Sequence, residues 1–151
     1  MTAPAPSSIR EYEVRARSTD TFGRVLCSAR NHHFIIDGPI QNDCPGEELT
    51  PAETFLSSVA ACGVELMHVI AKGDNVPLAR VSASIYAMVD RSNQARENVT
   101  TFNVVRLKFT LFGTDPSRAA DIVEGFKRRC PLYGTVSIAA ADVKVEFTVE
   151  P

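Results

Sequence analysis

Thr50-Pro51-Ala52-Glu53-Thr54-Phe55-Leu56-Ser57-Ser58-Val59-Ala60-Ala61-Cys62-Gly63-Val64-Glu65-Leu66-Met67-His68-Val69-Ile70 reads as one long helix with a cysteine near its middle. Thr50 can cap it, Pro51 suits the first helical position, and Glu53 stands where a capping box places its carboxylate. Lys72, Gly73 and Pro77 mark its end. Phe55, Val59, Cys62, Leu66 and Ile70 recur at helical spacing, so one apolar face is expected to carry all five. Cys62 on that face is either packing or chemistry. Cysteine behaves as a small hydrophobe and is among the most buried residue types, and spacing alone leaves the choice open.

Upstream of this helix, Tyr12, Val14 and Ala16 alternate with charged residues, which predicts a half-buried strand. A turn at Thr19-Asp20-Thr21-Phe22-Gly23 leads to a second strand, Arg24 to Ala29, and Asn31 separates it from a third, His32 to Ile36. Together they predict a meander. Gly38, Pro39, Asn42, Asp43, Pro45 and Gly46 make the approach to the helix a loop.

Downstream, the alternation through Val81, Ala83, Ile85, Ala87 and Val89 predicts a long strand. That through Val105, Leu107, Phe109 and Leu111 predicts its antiparallel hairpin partner. The polar segment Arg91 to Thr101 between them is expected to be a mobile tip. Asp115-Pro116 opens a second helix with Ala119, Ile122, Val123, Phe126 and Cys130 on one face, and Pro131 places Cys130 at its C-terminal end. Val143, Val145, Phe147 and Val149 give a terminal strand. The order is βββ-α-ββ-α-β, an α+β fold expected to have antiparallel strands and two main helices. Residues 1–9 are expected to be a disordered tail, and 10–151 a single domain.

A chain of 151 residues can bury a real core, and with 44% hydrophobic and 23% charged residues it reads as globular. The net charge of −2 gives no electrostatic case for nucleic acid or an anionic membrane. Lys127-Arg128-Arg129 is a compact basic run, suited to the end of a helix. The N-terminus lacks the basic start and apolar run of a signal peptide, and Glu65 and His68 interrupt the long helix as a membrane span. A cytoplasmic location is expected.

Of four cysteines, at 27, 44, 62 and 130, none forms a close-spaced metal pair. Cys27 reads as core and Cys44 as an exposed loop thiol. His32 and His33, adjacent in a strand, face opposite ways, which argues against a shared metal site. Glu65 and His68 read as a pair on the helix flank. Cys62 and Cys130 lie on the apolar faces of two helices that can cover one sheet. If they meet, one thiolate can attack the O–O bond of a peroxide and the other thiol can condense with the resulting sulfenic acid. Cys130 stands at the negative end of a helix dipole, partly offset by Lys127, Arg128 and Arg129, so Cys62 is the expected attacking thiol.

The run Thr50-Pro51-Ala52-Glu53 through Ala60-Ala61-Cys62, with the late Cys130-Pro131-Leu132-Tyr133, resembles the osmotically inducible protein C and organic hydroperoxide resistance family, OsmC/Ohr. Element order and cysteine spacing fit as well, so the resemblance covers the chain after the tail. It implies an intertwined homodimer with active sites at the interface and thiol-dependent reduction of organic hydroperoxides. Cys62 would attack and Cys130 would resolve, with a small dithiol such as a lipoyl group as reductant and no metal or organic cofactor. The chain departs from the family's peroxidases at Ala52, where they carry a glutamate, and at Thr21, where they carry an arginine. Glu53 and Arg24 are the nearest candidates for those charges. The segment from Arg30 to Asp37 is similar to the broader OsmC-like branch. Two alternatives are a non-catalytic dimer that binds a small apolar or electrophilic ligand, and a redox sensor using the same disulfide.

Overall fold

The computed structural model describes residues 9–151, so the expected tail lies, apart from Ile9, outside the described residues. The described residues divide into two compact units, one ending at Thr54 and the other beginning at Phe55.

In the first unit, β1 (Arg15–Ser18), β2 (Arg24–Ala29) and β3 (His32–Asp37) form the expected antiparallel meander. Gly23 closes the first turn at φ 75°, and a Cβ there would lie 2.3 Å from the Cys44 sulfur. That close approach holds Cys44 half-buried against Gly23 and Gly38, where an exposed thiol was expected. Cys27 is buried, as expected, in register between Ala16 and Phe34. The expected alternation from Tyr12 is not seen. β1 begins only at Arg15, Tyr12 and Val14 are exposed, and so is every residue of the strand, which is paired along one edge only.

The second unit takes in the body of α1 (Pro51–Gly73), β4 (Arg80–Met88), β5 (Val104–Phe112), α2 (Pro116–Arg129), α3 (Pro131–Ala139) and β6 (Asp142–Glu150). Its sheet runs β4-β5-β6. The β4–β5 hairpin is antiparallel, as predicted, but β6 pairs parallel to β5, which corrects the expectation of antiparallel strands throughout. A helical crossover carries the chain back to the starting end of the sheet, and that connection makes a parallel pair possible. Here α2 and α3 form the crossover. Central β5 buries Val105, Leu107, Phe109 and Leu111 on one face.

On α1 the buried stripe is Val59, Gly63, Met67, Ile70 and Ala71, rotated from the predicted face: Cys62 and Leu66 are half-buried flanks and Phe55 is 41% exposed. Gly63 fixes this rotation. A Cβ there would come within 2.6 Å of the Phe109 ring, so only glycine lets that ring lie against the helix. By length and composition α1 could span a membrane, despite Glu65 and His68, but its stripe is part of the unit's core cluster. On α2 the expected face is buried at Ala119, Ile122, Val123 and Phe126, and Asp115 caps the helix by accepting from the Arg118 N–H at 3.1 Å.

The segment after β4 is not a loose tip. Asn103 Oδ1 accepts from the Asp90 N–H at 2.6 Å, its Nδ2 donates to the Asn93 carbonyl at 2.6 Å, and Gln94 Oε1 accepts from the Thr101 N–H at 2.7 Å. Side-chain amides stand in for the backbone partners that an irregular segment lacks.

Candidate active site

The second unit brings Cys62 and Cys130 together, with their sulfurs 3.1 Å apart. Three packing features position them. Phe109 on β5 meets Phe126 on α2 edge-on, centroids 5.2 Å apart, and Phe126 meets Tyr133 on α3 at 5.1 Å. This aromatic chain ties the α2–α3 junction to the sheet, and Cys130 is that junction. Meanwhile Gly63, next to Cys62, lets α1 approach the same two phenylalanines. One contact network therefore sets both sulfurs.

Cys130 does more than end α2. Its N–H donates to the Phe126 carbonyl at 2.9 Å, and its sulfur accepts from the Tyr133 N–H at 3.4 Å, so it is the N-cap of α3. Sequence reasoning missed α3, although the signal was present. Cys130-Pro131 repeats the cap-then-proline pattern of Thr50-Pro51 and Asp115-Pro116. Cys130 is 3% exposed, whereas Cys62 is half-buried. Burial pushes the Cys62 thiol up to about 12, reinforced by the hydrogen bond and charge of Cys130 and by the Glu65 carboxylate.

The expected charged residues have other partners. Arg24 donates from Nε to Asp37 Oδ1 at 2.8 Å, and from Nη2 to Asp37 Oδ2 at 2.8 Å and Glu47 Oε2 at 2.6 Å. Asp37 is fully buried and accepts the Glu47 and Glu48 N–H groups as well. The Arg24 guanidinium, with those two N–H donors, holds the Asp37 carboxyl down to about 2. The two carboxylates in turn raise Arg24 above its ordinary value. Glu53 completes the capping box. Its Oε2 accepts the Thr50 N–H at 2.8 Å and the Thr50 hydroxyl at 2.7 Å, and these two bonds lower its pKa.

His33 Nδ1 is 2.8 Å from the Ser28 hydroxyl, while His32, Glu65 and His68 are exposed. Among the described residues no group of three His, Cys, Asp or Glu is placed to hold a metal ion. An apolar pocket of about 200 Å³ runs along α3, lined by Phe55, Phe102, Thr135 and Val136 among others.

The family model for OsmC-like proteins matches residues 44–146, the span that contains both cysteines, the α1 helix and the α2–α3 crossover. The chain belongs to the OsmC-like family. Solved structures agree in fold. An organic hydroperoxide resistance protein from Elizabethkingia anophelis superposes with a TM-score of 0.77 at 14% identity, covering 96% of this chain and 100% of its own. An organic hydroperoxide resistance protein OsmC from Legionella pneumophila gives 0.72 at 18% identity, covering 94% and 99%. An OsmC-like protein from Mycoplasma pneumoniae gives 0.75 at 14% identity, covering 93% and 96%. No curated protein matches the chain in sequence. At these identities the structures establish the α+β fold of this OsmC-like chain and leave its chemistry to its own residues.

Proposed function

We propose that this OsmC-like protein reduces organic hydroperoxides with Cys62 and Cys130. The observation that carries the reading is the 3.1 Å separation of two free thiols, one on α1 and one at the α2–α3 junction. Cys62, the more accessible sulfur, attacks the peroxide oxygen. The O–O bond breaks, Cys62 becomes a sulfenic acid and an alcohol leaves. The Cys130 sulfur then displaces hydroxide from the sulfenic acid, which leaves as water once protonated, and a disulfide forms. A small dithiol or lipoyl-type reductant returns the pair to thiols by exchange. The apolar pocket along α3 suits the organic portion of such a peroxide. A cytoplasmic homodimer is part of the same reading, supported by family membership and by the exposed Phe55 and Val69 on α1.

In this reading Arg24 and Glu53 support the chemistry by fixing the segment that leads into α1, through the Asp37 and Thr50 bonds described above. Counting free thiols before and after one equivalent of cumene hydroperoxide tests the proposal. Wild type should lose two thiols reversibly and Cys62→Ser none. Retention of all four thiols in wild type would overturn it.

A second reading, a dimer that binds a small apolar or electrophilic ligand without turnover, draws on the apolar pocket along α3 and on the strongly raised Cys62 thiol of the same unit. Sustained dithiol-dependent peroxide consumption that Cys62→Ser abolishes would exclude it.

A further inference from the structure

The two sheets handle their surface charges differently. In the β4-β5-β6 sheet, cations of β5 meet carboxylates of β6: Arg106 is bonded to Asp142, and Lys108 Nζ lies 3.4 Å from Glu146. In the β1-β2-β3 meander the register sets Arg15, Ser28 and His33 in one row across the three strands and Arg17, Leu26 and Ile35 in another, all on one face. Arg15 and Arg17 are two positions apart in β1, about 7 Å along the strand, and Arg30 stands in the turn between β2 and β3. These residues border one open cavity of about 650 Å³ within the first unit, lined by Glu13, Arg15, Arg17, Ser28, Arg30 and His33 among others. Leu26 and Ser28 are half-buried in it, and the charged lining residues are exposed.

Three guanidiniums share this cavity with one carboxylate. Glu13 Oε1 accepts from Arg15 Nε at 2.9 Å and leaves the other N–H donors of that guanidinium available. Arg17 and Arg30 have no hydrogen-bond or ion-pair partner among the described residues. The carboxylate further along the same face, Asp37, is already held by Arg24. Like charges on one sheet face destabilise it, and an anion between these guanidiniums offsets that cost. Arg30 adds backbone strain, because its φ of 53° is a left-handed conformation that Gly or Asn adopts more readily. His33 can complete the donor set. In the tautomer with the proton on Nε2, the Ser28 hydroxyl donates to Nδ1 across 2.8 Å and Nε2–H is left for a ligand.

We propose that this cavity binds a small multivalent oxyanion, a molecule carrying two or more phosphate or carboxylate groups, with Arg15, Arg17 and Arg30 supplying the charge and His33 a further donor. Guanidinium suits such groups because its planar fork offers two parallel N–H bonds to one phosphate or carboxylate. Two forks about 7 Å apart on β1 and a third at the hairpin turn favour a ligand with more than one anionic group. The volume lies within the roughly 300–1,000 Å³ of small-molecule sites. The chain as a whole carries a net charge of −2, so the positive face is local and draws a ligand small enough to lie within it. The inference concerns the first unit and is independent of the peroxide reading.

The test uses the full chain and inorganic pyrophosphate at constant ionic strength, with chloride as the control. In nitrogen-15 spectra the Arg15, Arg17 and Arg30 Nε–H resonances and the His33 ring should shift along a saturable curve with pyrophosphate and not with chloride. Arg17→Gln and Arg30→Asn should each weaken binding by about tenfold, the loss of one charge-assisted contact. Both variants should keep the wild-type thermal melt, since both side chains are exposed and asparagine suits the backbone at position 30. Citrate separates the two sources of the chemistry: tighter binding of pyrophosphate assigns the site to a phosphorylated ligand and tighter binding of citrate to a polycarboxylate, and each supports it. The absence of a saturable shift at these residues, as would follow if a second copy of the chain covered the face, would overturn the proposal. Binding that both variants leave undiminished would overturn it as well. The wild-type spectra need no variant, so a misfolded substitution leaves the first criterion in force.

Discussion

Asp37 in the first unit and Cys62 in the second are both acids withdrawn from water, yet their acidities move in opposite directions. The Asp37 carboxyl, gripped by Arg24 and two backbone N–H groups, is lowered to about 2, whereas the Cys62 thiol, facing another sulfur and a carboxylate, is raised to about 12. Burial alone raises any acid; the partner decides the final sign. The contrast shows two uses of a buried acid. Asp37 favours its charged form and holds a loop, while Cys62 favours its protonated form.

The sharpest way to break the contrast is to remove the cation. Arg24→Ala leaves a fully buried carboxylate without its ion-pair partner, and of the changes considered it should cost the most stability. Wild-type Asp37 has its folded pKa below the unfolded value of 3.8. Its contribution is therefore present above about pH 4 and lost as pH falls toward 2, because the unfolded state binds the proton first. Denaturant melts across that window should show the loss in wild type and a much flatter acid limb in Arg24→Ala. Cys62 predicts the mirror image. Its folded pKa lies above the unfolded 9.0, so its contribution is full below about pH 9 and declines as pH rises toward 12.

On the thiol side, Phe126→Ala removes the ring shared by Phe109 and Tyr133 and should cost about 3–5 kcal/mol. Disulfide formation between Cys62 and Cys130 should slow along with it, as read by thiol loss after a peroxide pulse. Gly63→Ala forces a methyl group toward Phe109 and should cost about 1–3 kcal/mol in chemical denaturation. Of these changes it is the one that shifts α1, and with it Cys62, without touching any titratable group. Smallest is Thr50→Ala, which breaks the capping box and should cost about 1 kcal/mol while leaving the sulfur-to-sulfur geometry intact. Peroxide turnover at the wild-type level in this last variant would separate the stability of α1 from the chemistry of its cysteine.

Much of this was legible without coordinates. Local signals were sufficient wherever a residue's role depends on near neighbours in the chain: the capping box of α1, the Asp115 cap of α2, the β4–β5 hairpin and the meander each follow from residues a few positions apart. The same kind of signal, Cys130-Pro131, announced α3, but the cysteine was read as the end of one helix and so missed as the start of the next. Strand direction was not legible in the same way. Alternation in β6 specifies a face, and a face says nothing about parallel or antiparallel pairing, which the crossover geometry decides.

What the sequence determined by itself is that two amphipathic helices each carry a cysteine, in an α+β chain whose Cys62 and Cys130 motifs resemble one family. Only the tertiary structure decided that α1 turns its Gly63 stripe inward, that the sulfurs meet at 3.1 Å, and that Arg24 is bound to Asp37 and Glu47. The physical reason is common to all three. Helix rotation, sulfur proximity and charge pairing depend on which distant side chains share a volume, and periodicity along the chain holds no record of that.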